Sequence, residues 1–311
     1  MPRSKVTVVG AGQVGATTAF LLLEKGVCDV VLVDVAEGLP QGKSLDMMHS
    51  RSVERFEPTI VGTNEYGSTA GSDVVVVTAG LARQPGMSRD DLLARNSEIV
   101  RAVVRSAIAE SPEAILLIVT NPLDVMTYLA WKVSGLPARR VLGMGGVLDS
   151  ARFAYAIAEK TGAPIASVEA VAAGAHGDAM VPLPRHSRVG GVPLTELLAR
   201  EDVAALCERT VNGGAEVVSL LRTGSAFYAP AASVAKMVSA ILRDTGETMP
   251  SCVYLDGEYG IRDVYMSVPA SLGAAGVLGI PELELDAAET EALRASANTI
   301  AASLDGLGER G

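Results

Sequence analysis

Aromatic residues are scarce in this chain. They make up 4% of it, and there is a single tryptophan. A core therefore has to be built from Val, Leu, Ile, Ala and Met. The apolar share of 49% against 20% charged residues is the balance of an ordered globular chain. Long apolar runs are missing too: none reaches the roughly 18 residues of a membrane span. Glycines and polar residues interrupt Val6 to Leu23, so that stretch is not read as a secretory signal. Cysteine is sparse and odd in number. Cys28, Cys207 and Cys252 lie far apart without a Cys-x-x-Cys pair, which argues against a metal site and suits reduced, buried thiols in a cytoplasm. Basic segments are absent. With a formal charge of −10 and no Lys/Arg-rich run, the chain offers no footprint for nucleic-acid phosphates. An acidic surface keeps a protein soluble, and a salty cytoplasm favours one as well. At 311 residues there is length enough for two domains around a large core.

What is present is concentrated in the first thirty or so residues. Val6-Thr7-Val8-Val9 is a β-branched run, and Gly10-Ala11-Gly12-Gln13-Val14-Gly15 follows it directly. Thr17 to Lys25 reads as helix, and Val30-Val31-Leu32-Val33 as a second buried strand ending at Asp34. Strand, Gly-x-Gly-x-x-Gly, helix, strand and acidic residue in this order form a dinucleotide-binding unit. Gly10 permits a tight turn, Gly12 lets the backbone approach a pyrophosphate, and Gly15 lets the helix pack closely. The unpaired N–H groups that open the helix face the phosphates. Asp34 is placed to accept hydrogen bonds from an adenosine ribose. Its charge favours NAD over NADP, and no Arg or Lys occurs in Val35-Ala36-Glu37-Gly38 to offset it.

Farther along, Leu39 to Arg51 has helical spacing (Leu39, Leu45, Met48) and is expected to lie across a sheet face; His49 within it reads as a surface histidine. Thr59 to Gly62 is a short strand. Val74 to Val77, apolar without alternation, has the pattern of a parallel strand buried on both faces. Ligands of open α/β sheets bind at the carboxyl ends of strands, so the residues after Val77 should face one. There Arg83 and Arg89 flank Pro85-Gly86, either as a hinged, positively charged loop over a site or as two solvated arginines. Ser88 or Asp90 is suited to cap the helix Asp91 to Glu110. Glu113 to Val119 is a strand that ends at Asn121-Pro122, where the Asn121 amide is suited to hold a ribose or hydroxyl, or only to cap the next helix. Val141 to Gly143 is a further strand, and Gly143 to Gly146 marks a domain boundary. The expected domains are 1–143, a Rossmann doubly wound parallel sheet, and 144–311, an α+β substrate domain.

In the second half, Asp149 and Arg152 share one face of a helix from Val147 to Lys160, as a structural i,i+3 ion pair would. Val168 to Val171 reads as a strand leading into Ala172-Ala173-Gly174-Ala175-His176-Gly177-Asp178. His176, among small residues, is the best general acid/base candidate of three histidines. His186 reads as structural and exposed. Helices are expected at Glu201 to Leu221, Ala231 to Arg243 and Asp286 to Leu304, with antiparallel strands around Val253 to Leu255 and Val264 to Val268.

The motifs named above, together with Pro85-Gly86-Met87-Ser88-Arg89 and Leu148-Asp149-Ser150-Ala151-Arg152, occur in the order of the L-lactate/L-malate dehydrogenase family, which the chain resembles over nearly its whole length. The resemblance is strongest to malate-specific members. It implies reversible hydride transfer between malate or oxaloacetate and NAD(H), a reaction of the tricarboxylic acid cycle, in a cytoplasmic homodimer or homotetramer with no metal and no membrane or nucleic-acid partner. By the same resemblance His176 exchanges the proton, Asp149 orients it, and Arg152 clamps the C1 carboxylate. Arg89 polarises the C2 carbonyl and Asn121 contacts substrate and nicotinamide ribose. Asn96 and Val119 join Gly10, Gly12, Gln13, Val14, Gly15 and Asp34 around the cofactor. Arg83 sets the substrate, because lactate dehydrogenases usually carry Gln there; Ala226, in place of their Thr, leaves extra room. Two other readings stay open: a lactate or other 2-hydroxy-acid dehydrogenase, and a catalytically silent NAD-binding sensor.

Overall fold

The computed structural model describes residues 3–81 and 89–310; the side chains of 89 and 90 lie outside the description. In chain order the first half runs β1 (Lys5–Val9), α1 (Gln13–Glu24), β2 (Asp29–Val33), α2 (Leu39–Glu54), β3 (Ile60–Thr63), β4 (Val74–Val77), α3 (Arg89–Glu110), β5 (Ile115–Ile118), α4 (Leu123–Ser134) and β6 (Val141–Gly143). The second half follows with α5 (Gly146–Thr161), β7 (Val168–Glu169), β8 (Ala172–Gly174), β9 (Met180–Pro182), β10 (Arg188–Val189), β11 (Val192–Pro193), α6 (Leu194–Leu197), α7 (Arg200–Leu221), α8 (Tyr228–Leu242), β12 (Glu247–Asp256), β13 (Arg262–Gly273), β14 (Gly276–Gly279) and α9 (Ala287–Gly306).

Two compact units result. The first contains residues 1–144 and is built on parallel strands in the order β3-β2-β1-β4-β5-β6. The chain reverses its winding between β1 and β4, which makes this a doubly wound α/β sheet. All four valines of β4 are wholly buried, each worth about 1.5–3 kcal/mol of hydrophobic stabilisation. Register does the positioning: Val9 lies beside both Val33 and Val77, and Val77 beside Ile118. The residues one step beyond, Gly10, Asp34, Thr78 and Val119, therefore line one edge of the sheet.

The second unit comprises 145–226, 248–271 and 279–311. Its strands run in the order β12-β13-β8-β9, antiparallel from β13 to β9, with a small separate sheet β11-β10-β7. Phe153, Ile157, Leu194, Val203 and Leu206 form an apolar cluster where α7 meets α5 and α6.

The first unit also takes in 227–247 and 272–278. Helix α8 buries Val234, Ala235, Met237, Val238 and Ile241, and it packs on α1. Helix α2 does not meet the sheet through Leu39 and Leu45, which are 37% and 58% exposed. It is buried at Pro40 and Ser44 instead, because Gly62 on β3 admits the helix backbone. A Cβ there would stand 2.1 Å from the Pro40 carbonyl oxygen. Finally, the strand expected over Val168 to Val171 is cut short: β7 covers only Val168–Glu169, and β8, which begins at Ala172, belongs to a different sheet.

Candidate active site

The edge of the first unit carries a glycine cradle. Gly10 has φ +106°, and a Cβ on it would meet Thr78 Oγ1 at 2.6 Å. At Gly15 a Cβ would stand 1.8 Å from the Gly10 carbonyl oxygen, so it is the turn, more than the strand, that Gly15 lets α1 approach. Gly12 has open space around it. The helix begins at Gln13, four residues before the expected start, with Gly12 as its N-cap and no side chain satisfying the first N–H groups. A tight turn, a bare helix start and room at the middle glycine fit a dinucleotide pyrophosphate. Asp34 holds the cradle in shape: one carboxylate oxygen accepts from the Ala11 N–H at 2.6 Å, the other from the Ala36 N–H at 2.9 Å. Each oxygen has further acceptor capacity for a ribose hydroxyl.

Four more side chains brace this edge, three of them unforeseen. Lys43 donates to the Ala11 carbonyl at 2.7 Å, Thr78 to the carbonyls of Val9 and Gly10, and Asn64 to those of Asp34 and Ala36. Only folding brings Lys43 and Asn64 here from α2 and beyond β3, so no local motif announces them. Asn96 is 1% exposed and its amide ties loop to loop. It accepts from the Leu81 N–H at 2.8 Å and donates to the carbonyls of Leu81 and Asn121. With both amide hydrogens used, Asn96 braces the strand ends; Asn121 itself is exposed and Val119 half-buried.

The second unit gathers His176, Asp149 and Arg152. Asp149 lies in the first turn of α5, where the positive end of the helix attracts a carboxylate, and it is 2% exposed. Its Oδ2 is 2.9 Å from His176 Nδ1 and its Oδ1 is 3.4 Å from Arg152 Nη1. A carboxylate only accepts, so Nδ1 carries the hydrogen in this contact. Burial lowers the Arg152 pKa, the Asp149 charge opposes that, and the guanidinium remains charged. The i,i+3 pair of the sequence is thus two members of a triad. Of the other histidines, His49 is exposed, whereas His186 is half-buried, 3.8 Å from Glu289, rather than exposed. Arg83, Ser88 and the side chains of Arg89 and Asp90 lie outside the described residues. Among the described residues no cluster of His, Cys, Asp or Glu is placed to hold a metal, and no helix is long and apolar enough to cross a membrane.

Residues 4–143 match the family model described as lactate/malate dehydrogenase, NAD binding domain, and residues 146–309 that of the alpha/beta C-terminal domain. The chain belongs to the lactate/malate dehydrogenase family. Among curated relatives, the malate dehydrogenase of Synechocystis sp. is 54% identical over 301 residues, covering 97% of this chain and 93% of that one. Among solved structures, malate dehydrogenase from Salinibacter ruber superposes with a TM-score of 0.94 at 46% identity, covering 98% and 97% of the two chains. Lactate dehydrogenase from Cryptosporidium parvum, complexed with lactic acid and nicotinamide adenine dinucleotide, gives 0.96 at 39% identity and covers 100% of both. The α/β architecture and the NAD-binding unit expected from the motifs are therefore those of this oxidoreductase family.

Proposed function

We propose that the chain is an NAD-dependent L-malate dehydrogenase that interconverts L-malate and oxaloacetate, the step such an enzyme performs in the tricarboxylic acid cycle. The observation that carries this reading is the buried Asp149 carboxylate shared between the His176 imidazole and the Arg152 guanidinium. It is joined by relatives named malate dehydrogenase at about half identity over nearly the whole chain.

In oxidation, His176 Nε2 takes the proton of the C2 hydroxyl; in reduction it returns that proton. Asp149 fixes the tautomer and stabilises the imidazolium. The planar fork of Arg152 pairs with the C1 carboxylate, a geometry Lys does not reproduce. Arg89 polarises the C2 carbonyl, and Asn121 contacts the substrate and the nicotinamide ribose. The backbone of Gly10, Gly12, Gln13, Val14 and Gly15 holds the pyrophosphate, Asp34 the adenosine ribose, and Val119 and the Asn96-braced strand ends border the cofactor. When bound, the nicotinamide supplies or accepts the hydride at C2.

Arg83 pairs with the second carboxylate, which oxaloacetate has and pyruvate does not. With pyruvate the guanidinium would be desolvated without a partner, and a site built around such a group discriminates by roughly 10⁴–10⁵. Two variants test the reading. Arg83→Gln should collapse oxaloacetate turnover and raise relative activity on pyruvate; an unchanged preference would remove Arg83 from substrate selection. His176→Asn should abolish turnover while NADH binding, followed by fluorescence, stays nearly intact; unchanged turnover would remove the acid/base assignment.

A further inference from the structure

The loop that carries His176 is the tip of a hairpin. Strands β8 and β9 pair antiparallel, Ala172 beside Pro182, Ala173 beside Val181 and Gly174 beside Met180, so Ala175 and Ala179 would form the next rung. That rung is occupied by a side chain instead. Ser296, from α9 and 2% exposed, accepts from the Ala175 N–H at 2.8 Å and donates to the Ala179 carbonyl at 2.7 Å. One hydroxyl oxygen, inserted between facing backbone groups, closes the ladder and holds it apart. The same oxygen requires Gly174: a Cβ there would stand 2.8 Å from Ser296 Oγ, on a backbone with φ +88°. Thus Ser296, remote in sequence, together with Gly174 sets the spacing of a five-residue tip in which His176 is second.

We propose that Ser296 is a positioning residue for His176: its hydroxyl fixes the hairpin mouth so that the imidazole meets Asp149. This rests on the reading of His176 as the proton carrier. The hairpin supplies its own control. At its other end the buried hydroxyl of Ser187 accepts from the Val171 N–H at 3.1 Å and donates to the Leu183 carbonyl at 2.9 Å, the same two kinds of bond. A merely structural serine predicts that the two hydroxyl deletions behave alike.

The experiment compares Ser296→Ala with Ser187→Ala in the full chain, measuring Tm, kcat, the KM values for oxaloacetate and NADH, and the NMR titration of the three histidines without substrate. Both variants should lose Tm. Only Ser296→Ala should displace the His176 titration and lower kcat, by about ten-fold for a shift of some tenths of an ångström, with KM for NADH unchanged. Equal kcat in the two variants, or an unmoved His176 signal in Ser296→Ala, would overturn the proposal. If Ser296→Ala fails to fold, Ser296→Cys, which keeps a weak donor and acceptor, is read in the same way. His176→Asn run alongside separates the two failures. Retained turnover there sinks the proton-carrier reading, whereas lost turnover with a silent Ser296→Ala sinks this proposal alone.

Discussion

Replacing Asp149 by Asn changes one atom type and strains every contact of the triad. The carboxylate offers two acceptors, Oδ2 to His176 and Oδ1 to Arg152. An amide offers one acceptor and one donor group. If its oxygen faces His176, the amide hydrogens meet the Arg152 guanidinium, donor against donor. If it faces Arg152, the NH₂ group demands an unprotonated Nδ1 and moves the imidazole hydrogen to Nε2, where it blocks proton uptake from malate. The lost charge adds to this. Opposite unit charges about 4 Å apart, in surroundings with an effective dielectric near 20, are worth about 4 kcal/mol. That is roughly 10³ in rate if the imidazolium develops fully in the transition state. The assay is NADH absorbance in both directions, with NADH affinity measured by fluorescence. The expected result is a loss of about 10³ in kcat for malate oxidation at unaltered NADH affinity, because the glycine cradle belongs to the other unit. A loss below ten-fold would refute the argument that Asp149 carries its negative charge for His176.

Two further predictions come from other parts of the chain. Gly12→Ala should fold with unchanged Tm, since a Cβ meets nothing within 4 Å, yet weaken NADH binding; Gly15→Ala, whose Cβ would collide with the Gly10 carbonyl, should lower both Tm and affinity, and identical behaviour of the two would contradict the cradle. Burial above all, with Asp29 and Asp73 adding, pushes the Cys28 thiol up to about 12, and burial pushes Cys207 up to about 11. Alkylation at pH 8 should therefore be slow until the protein unfolds. The native state holds these protons more tightly than the unfolded chain, so their contribution is complete below about pH 9 and lost as pH rises towards 12. Cys28→Ala should flatten that alkaline decline in Tm, and an unchanged slope would assign it to other groups.

Much of this was legible in the residues because one physical rule sufficed for each. β-Branched runs bounded by glycine gave the parallel strands, and their register brought Gly10, Asp34 and Thr78 to one edge. What escaped depended on partners distant in sequence. Asp149 and Arg152 alone are indistinguishable from a surface ion pair; only His176, 27 residues beyond Asp149, makes them a site. Ser296 sits on a helix expected from its residues alone, and nothing near it marks a hydroxyl aimed into a ladder. Leu39 and Leu45 misled because helical spacing reports that a helix has an apolar face, not which surface covers it. The place of α8 was hidden for the same reason.

The enzyme's choice between two 2-oxoacids is read from wild-type turnover. NADH oxidation should be followed with oxaloacetate and pyruvate in parallel, at matched concentrations. Fast turnover of oxaloacetate and little or none of pyruvate is expected. Preference for pyruvate would contradict it, leaving the family and the His176 relay but removing the second-carboxylate argument.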